Sequence, residues 1–274
     1  MKFRYLVSAI AMCVVFVACK KKTSDEPAPT PIENQNPTNQ NPITYGLVQI
    51  HLHTWVGTEY THSLESADEE IATGFERKIS LGTGRFFLSD FELVNMDGSI
   101  YSLADTVIMW DYPKSDYEIG MAPIGKYKSI RFKVGFDSET IKKPLETVFN
   151  GVLNKPAMWF ESAANADKYV FAHLKGKIDT AAIPDESNTR VGYEFKIGTK
   201  SRLTQITLSD LKPGSEFNLP ITFEVFHLYV NMERLFDGVN LQDINSLNLK
   251  TIEANSATAA EKITGNISRM FNYE

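Results

Sequence analysis

The chain has 274 residues and a formal net charge of -6, from 34 acidic and 28 basic side chains. This mild acidity, with no basic run beyond the N-terminal segment, argues against nucleic acid as a partner. The only cysteines are Cys13 and Cys19, both near the N-terminus. The rest of the chain therefore has no thiolate for a disulfide, a zinc finger, an iron–sulfur cluster or a thiol active site.

The N-terminal residues have the pattern of a bacterial lipoprotein export signal. Two basic residues precede an apolar run from Tyr5 to Ala18. This run is shorter than the roughly 20 residues of a membrane-spanning helix. It leads to Cys19 in a site that resembles a lipobox, with Phe16 where Leu is usual. We predict a lipoprotein signal peptide over residues 1–18 and a mature chain that begins with Cys19.

Lipidation of Cys19 would anchor the mature chain to a bilayer. The thiol would carry a diacylglyceryl group and the amine a fatty acyl chain such as palmitate. Several acyl chains hold a protein stably where a single chain does not. We therefore expect an outer-membrane location, with the folded domain on the periplasmic or the cell-surface side.

Residues 19–44 are predicted to be a disordered linker that starts with this lipidated cysteine. The segment is polar and rich in Pro and Asn, and it has too few apolar side chains to offset the entropy of ordering. A flexible coil of about 25 residues would hold the following domain roughly 30 Å from the lipid surface. The basic run Lys20-Lys21-Lys22 would add electrostatic attraction to the bilayer.

Residues 45–274 have the size of one domain, and their pattern is mostly that of β-strands. Between Val48 and Val56 apolar side chains alternate with His51, His53 and Trp55, which predicts a strand with one buried face. Further strands are predicted over 75–81, 86–94, 129–136, 169–176, 193–197, 203–208 and 217–229. Helices are predicted near 143–149 and 257–271. The sequence thus predicts a mainly β protein, an antiparallel two-sheet β-sandwich with a short C-terminal helix.

A series of short motifs follows in a fixed order along this domain. In chain order they are Arg85-Phe86-Phe87 with Leu93-Val94 and Asp97-Gly98, Tyr101-Ser102-Leu103-Ala104-Asp105, Gly125-Lys126-Tyr127 with Phe132-Lys133-Val134-Gly135, Met158-Trp159, Tyr169-Val170-Phe171 with Leu174-Lys175-Gly176, and Tyr193-Glu194-Phe195-Lys196-Ile197-Gly198. Each motif is weak by itself, but their collinear order resembles that of the MbnP-like domain family from about Val48 onward.

The resemblance implies an exported β-sandwich and, in some members, a copper site made by an oxidised Trp and His side chains. It also implies a partner, a dihaem enzyme of the cytochrome c peroxidase type that performs the oxidation. At the corresponding positions this chain keeps one Trp, Trp159, and has Lys196 where the family commonly has His. Lysine is a poor metal ligand at neutral pH because its amine is protonated. The implied copper site is therefore incomplete.

A second location for copper is offered by His51 and His53. They lie two residues apart on one predicted strand, so their side chains project from the same face about 6 to 7 Å apart at the backbone. Two imidazoles at that spacing can converge on one ion, and imidazole suits copper. Trp55 continues this face. The alternative, that the face carries no metal, stays open.

The remaining candidates complete the predicted metal site. His62 follows in a loop and is a possible third ligand, while His173 and His227 lie on other strands and are interpreted as polar strand residues. The histidine pair on the first strand and the family resemblance together predict His51, His53 and Trp159 as the metal-site residues and copper as the cofactor.

No catalytic constellation is present in the sequence. It contains no Gly-x-Ser-x-Gly, no His-Glu-x-x-His and no phosphate-binding loop. We therefore predict no catalytic residue and do not expect an enzyme. Two functions remain: a copper-binding lipoprotein of the cell envelope, or a metal-free surface module that binds a protein or glycan through aromatic residues such as Trp110 and Tyr112.

Overall fold

The computed structural model describes residues 42–56, 59–60, 71–72, 78–103, 106–142, 151–160, 168–179, 190–240, 248–251, 253–256 and 258–274. In chain order the strands are β1 (Tyr45–Val56), β2 (Glu59–Tyr60), β3 (Ile71–Ala72), β4 (Lys78–Asn95), β5 (Ile100–Ser102), β6 (Val107–Asp111), β7 (Asp116–Pro123), β8 (Gly125–Val134), β9 (Val170–Asp179), β10 (Arg190–Gly198), β11 (Thr204–Thr207), β12 (Phe217–Leu219), β13 (Phe223–Asn231), β14 (Asn248–Leu249) and β15 (Phe271–Tyr273). The helices are α1 (Ser138–Lys142) and α2 (Thr258–Ile267), and single 3-10 turns occur at Pro156–Met158, Lys200–Arg202, Met232–Phe236 and Glu253–Ser256. None of the helices described is long and apolar enough to cross a membrane.

The strands form two sheets, as predicted for a mainly β sandwich. The smaller sheet has the order β15-β13-β1-β2. Strand β7 also pairs with β1, on the edge opposite β13. The larger sheet has the order β11-β8-β4-β9-β10-β14, and the short strands β3, β5, β6 and β12 pair with β4 or β8. Most pairs are antiparallel, but β1 pairs with β13 in parallel, as β10 does with β14. The sandwich is therefore mixed rather than purely antiparallel.

Alternating burial along the strands places the main core between the two sheets. On β1, Val48, Ile50 and Leu52 are buried, and on β13 the buried residues include Leu228 and Val230. The facing strands of the larger sheet bury residues of the same cluster. Because successive side chains on a strand point to opposite faces, the intervening residues of β1 and β13 must lie on the outer face of the smaller sheet.

A second, smaller core covers the outer face of the larger sheet. Phe86 belongs to the main core, whereas its neighbour Phe87 packs in this second cluster. Met158 and Phe160, from the segment 151–160, pack in the same second cluster. The second cluster therefore lies on the side of the larger sheet that faces away from the smaller sheet.

Several strand boundaries differ from those predicted. The two strands predicted over 75–81 and 86–94 are joined in one β4, which spans Lys78–Asn95, and residues 75–77 lie outside the described residues. Strands β6 and β7 were not predicted. The strand predicted over 217–229 is divided around Pro220, which cannot donate to a ladder hydrogen bond. The C-terminal helix ends at Ile267, before the extra strand β15. The helix predicted near 143–149 lies outside the described residues.

The expectation that Trp110 and Tyr112 form an exposed binding surface is wrong. Trp110 is fully buried and Tyr112 nearly so. The Trp110 ring stacks on Phe86 at 5.0 Å between centroids, and its indole nitrogen donates to the carbonyl oxygen of Lys114. These residues stabilise the core and are not available to a protein or glycan ligand.

Substitution of Gly135 by Ala should destabilise the fold for two separable reasons. The φ angle of Gly135 is 99°, in the region that favours glycine, and an added Cβ would lie 2.3 Å from the Phe171 ring. Gly98 has a similar φ of 87° but no neighbour within 4 Å of an added Cβ. We expect Gly98→Ala to cost about 1 kcal/mol from strain alone, and Gly135→Ala to cost about 1–3 kcal/mol more from overpacking. Urea unfolding of both variants measures the difference, and equal costs would show that the Phe171 contact is unimportant.

Candidate metal centre

The outer face of the smaller sheet brings together three histidines from two strands. In the parallel register of β1 and β13, His51 lies opposite His227 and His53 lies opposite Tyr229. The ring centroids of His51 and His53 are 4.2 Å apart, and each is 5.4 Å from that of His227. Because these strands are held by the core beneath them, the three imidazoles are fixed by rigid elements rather than by loops.

The last strand adds a carboxylate to this group. Strand β15 pairs with β13 on the side away from β1, and the Glu274 backbone N–H donates to the carbonyl oxygen of His227 at 3.2 Å. The Glu274 Oε2 atom lies 3.1 Å from His53 Nε2 and 3.3 Å from His227 Nδ1. The two imidazole nitrogens are 3.1 Å apart. His53 and His227 each direct one nitrogen, and Glu274 one oxygen, to a common point. We call these three residues the triad.

His51 lies beside the triad and is oriented by a carboxylate of its own. Its Nδ1 atom is 2.7 Å from Asp116 Oδ1 on β7, and the Ser115 hydroxyl donates to the other oxygen of Asp116. The hydrogen bond with His51 is the main reason why the pKa of the Asp116 carboxyl lies below its ordinary value. An ionised Asp116 favours the tautomer in which His51 Nδ1 carries the proton and Nε2 has the lone pair.

The triad is open to solvent on one side. The side chains of His51 and His53 are 19% and 16% exposed, whereas those of His227 and Glu274 are 50% and 41% exposed. Tyr229 packs edge-on against His53, with 5.9 Å between ring centroids. A ligand could therefore reach these atoms from the His227 and Glu274 side.

The sequence prediction found only part of this group. It identified His53, which belongs to the triad, and His51, which flanks it. It interpreted His227 as a polar strand residue and did not consider Glu274. The register of β1 against β13 brings His227 into the group, and the strand after α2 brings Glu274. His62, the predicted third ligand, lies outside the described residues, as does Cys19.

The family is decided by comparison with known proteins. The family model described as MbnP matches residues 45–254, which is more than half of the chain. The chain belongs to the MbnP family. Among solved structures it is similar to MbnP from Methylosinus trichosporium, with 12% identity, a TM-score of 0.49, and coverage of 73% of this chain and 80% of that chain. No curated protein matches it.

The structure places Trp159, the third predicted metal-site residue, far from the triad in the fold. Trp159 forms an isolated bridge with Tyr169 and packs against the second core, on the outer face of the larger sheet. The triad lies on the outer face of the smaller sheet. The main core separates these faces, so His51, His53 and Trp159 do not form one site in this member of the MbnP family.

The residues around Trp159 do not fit a metal ion. The Lys196 ammonium is buried and donates to the Trp159 carbonyl oxygen at 3.1 Å. The Lys168 ammonium lies over the Trp159 indole, 4.0 Å from its centroid. Lys196 thus stands where the resemblance implies a His ligand, and Lys168 lies against the Trp that the resemblance implies is modified. A cation at this position would be repelled.

His173 lies next to Lys196 in the register of β9 and β10 and is buried. Its Nε2 atom is 3.0 Å from Glu194 Oε1, and its Nδ1 atom is buried with no hydrogen-bond partner among the described residues. Burial lowers the pKa of His173 below its ordinary value, and the hydrogen bond with Glu194 only partly opposes this. His173 is therefore a neutral structural residue at neutral pH.

This lowered pKa predicts a pH-dependent stability. The folded chain binds the His173 proton less readily than the unfolded chain, whose imidazole has a pKa of about 6.5. The contribution of unprotonated His173 to the free energy of unfolding is therefore complete above about pH 6.5. This contribution is lost as the pH falls towards the folded pKa. We expect the free energy of unfolding to decrease between about pH 7.5 and about pH 5, a range that includes the unfolded pKa, and to decrease less in His173→Gln. Urea unfolding across this range measures both slopes, and parallel slopes would refute the role of His173.

Proposed function

We propose that this MbnP family member is a lipid-anchored envelope protein that binds copper at the triad of His53, His227 and Glu274, with His51 beside it. The observation that carries the proposal is the triangle of ligand atoms, whose sides are 3.1, 3.1 and 3.3 Å. The proposal keeps His51 and His53 of β1 and adds His227 from β13 and Glu274, the residue that follows β15.

The size of the triangle fits three corners of a metal coordination shell. Four ligands about 2.0 Å from a tetrahedral ion are about 3.3 Å apart, and neighbouring ligands around a square-planar ion are about 2.8 Å apart. The observed separations lie between these values. The same separations are those of hydrogen bonds, so protons and a metal ion compete for the same lone pairs.

The chemistry of the donor atoms favours copper. Imidazole nitrogen and carboxylate oxygen suit Cu(II), which also binds such sites more tightly than the other divalent first-row metals. The MbnP resemblance implies copper independently. Bound copper would supply one-electron redox chemistry, while the chain itself supplies the ligands, their orientation and an open side.

Asp116 supports the site without belonging to the triad. By holding His51 Nδ1 at 2.7 Å, it fixes the ring that lies 4.2 Å from the His53 ring. It also places a negative charge close to the imidazoles, which lowers the free energy of a bound cation. Asp116 is therefore a positioning residue for the centre.

The proposed location in the cell is based on the sequence before the domain. The export signal, the lipobox-like site at Cys19 and the polar linker to residue 44 support an outer-membrane lipoprotein. The proposed centre lies away from Trp159, so it needs neither an oxidised Trp nor the dihaem partner that the resemblance implies. We propose no catalytic activity.

Stoichiometric copper should be retained by the wild-type protein after copper exposure and desalting. His53→Ala and His227→Ala each remove a ligand nitrogen, and Glu274→Gln replaces the carboxylate by an uncharged amide. Each variant should therefore lose most of this copper, as measured by elemental analysis and electron paramagnetic resonance. His173→Gln is the matched control, since it removes a histidine of the other sheet and should retain copper.

Two results would contradict the proposed centre. Wild-type protein that retains no copper would exclude the function. Equal loss in His173→Gln and in the triad variants would show that folding, not coordination, had been lost, and circular dichroism of each variant checks this separately. In the copper that each variant still binds, nitrogen hyperfine coupling should be weaker in the histidine variants than in Glu274→Gln.

Asp116→Asn should weaken copper binding by less than the roughly 10- to 100-fold that follows loss of a carboxylate bonded to a metal ligand, because its partner His51 flanks the triad and does not belong to it. The fold should be unaffected, since the Asp116 side chain is 75% exposed. Competition with a chromogenic copper chelator measures the affinity. Ser115→Ala removes only the neighbouring hydroxyl and is the control, so an equal effect of both substitutions would contradict the positioning role.

A further inference from the structure

Large exposed apolar side chains are concentrated at one end of the domain. Among the described residues they are Ile43, Tyr45, Met96, Ile100, Met121, Ile124, Ile221 and Phe223, all between 40% and 67% exposed. We call this group the apolar end. Scattered exposed apolar residues are normal on a protein surface, but a contiguous group marks an interaction site.

Backbone pairing shows that the members of the apolar end are neighbours. On the outer face of the smaller sheet, Leu47 of β1 pairs with Met121 on one side and with Phe223 on the other. Tyr45 precedes Leu47 on the same face. The Ile124 N–H donates to the Thr44 carbonyl oxygen at 3.0 Å, so the turn after β7 lies beside the start of the domain.

The remaining members adjoin the same surface. The Leu47 N–H donates to the carbonyl oxygen of Thr222, which places the neighbouring Ile221 beside β1. Ile100 and Met96 flank the turn between β4 and β5, and the Tyr101 hydroxyl of this hairpin donates to the Met121 carbonyl oxygen at 3.4 Å. This hairpin thus lies at the same end of the domain, although Ile100 alternates with the inward-facing Tyr101 and therefore points away from the smaller sheet.

We propose that the apolar end docks on the lipid bilayer that holds the acylated N-terminus. This inference rests on the lipid anchor of the proposed function. The described domain begins at Pro42, directly before Ile43 and Tyr45. The linker to Cys19 therefore starts at the apolar end, so this end is the part of the domain nearest in sequence to the lipid anchor.

The tether makes even a weak contact with lipid effective. A short flexible linker gives its attached group a local concentration of about millimolar, so docking needs no strong affinity of its own. Aromatic and aliphatic side chains such as Tyr45, Phe223 and Ile221 suit the boundary between headgroups and acyl chains. The next row of the sheet towards the histidines contains Gln49 and the exposed Glu118, which marks the limit of the apolar contact.

Docking in this way would set the distance between the proposed metal centre and the bilayer surface. His53 lies six residues after Leu47 on β1, and a strand rises about 3.3 Å per residue, so the triad lies at most about 20 Å along the strand from the docked surface. The open side of His227 and Glu274 would then face the space directly next to the bilayer. Copper exchange would then occur close to the lipid surface, and not at the larger distance that an extended linker would allow.

A single fluorescent probe tests this inference in the full-length acylated protein. The mature chain has no cysteine other than Cys19, whose thiol is alkylated by lipid, so a substituted cysteine is the only free thiol. Phe223→Cys and Met121→Cys, labelled with an environment-sensitive fluorophore, report from the apolar end. Ala157→Cys is the control, because Ala157 is exposed on the segment that covers the opposite sheet. Vesicles of phosphatidylethanolamine and phosphatidylglycerol provide the bilayer.

Docking predicts a blue shift of emission and quenching by nitroxide-labelled lipid for the Phe223 and Met121 probes, with neither effect for the Ala157 probe. Protein that floats with the vesicles while all three probes remain aqueous would overturn docking but leave the lipid anchor intact. Protein that does not float would refute the anchor and docking together. A blue shift that disappears in nanodiscs holding one protein each would assign the apolar end to a second copy of the chain, and would also overturn the proposal.

Discussion

The parallel pairing of β1 with β13 is the constraint on which the candidate centre depends. It places His51 opposite His227 and His53 opposite Tyr229, while the alternate residues of both strands fill the core. A shift of this register by one residue would turn the histidines into the core and the apolar residues into solvent. The free energy of core burial therefore also fixes the positions of the ligands, and no separate interaction is needed to assemble the imidazoles.

The open side of the centre has a different origin. Glu274 follows the short strand β15, and Asp116 begins β7, so both carboxylates sit at the ends of strands that flank the central pair. Core packing fixes the two histidines of β1, whereas the Glu274 and Asp116 side chains lie at strand ends and are exposed to solvent. The candidate centre thus combines nitrogens held by the sheet with carboxylates at its open edge.

Local sequence pattern predicted the sheet class and the outward face of β1, because a period of two depends only on neighbouring residues. It could not predict that β13 runs parallel to β1, since pairing between residues that are far apart in sequence, such as His51 and His227, leaves no local signal. For the same reason His227 was interpreted as an ordinary strand residue. Glu274 was missed because the helical pattern was extended to Phe271, although the helix ends at Ile267. The sequence signal for this ligand was only that Glu274 directly follows the short segment Phe271–Tyr273.

The position of Lys196 links the family comparison to the proposed centre. A buried ammonium bonded to the Trp159 carbonyl stabilises the outer face of the larger sheet as a structural surface, and a bound cation at that position would have to displace it. Any copper chemistry of this chain must then be supported elsewhere. Among the described residues, the face of β1 and β13 holds three histidine side chains together with carboxylates. Membership of the MbnP family therefore fixes the scaffold here, while the location of a metal site is decided by which outward positions of that scaffold carry imidazoles.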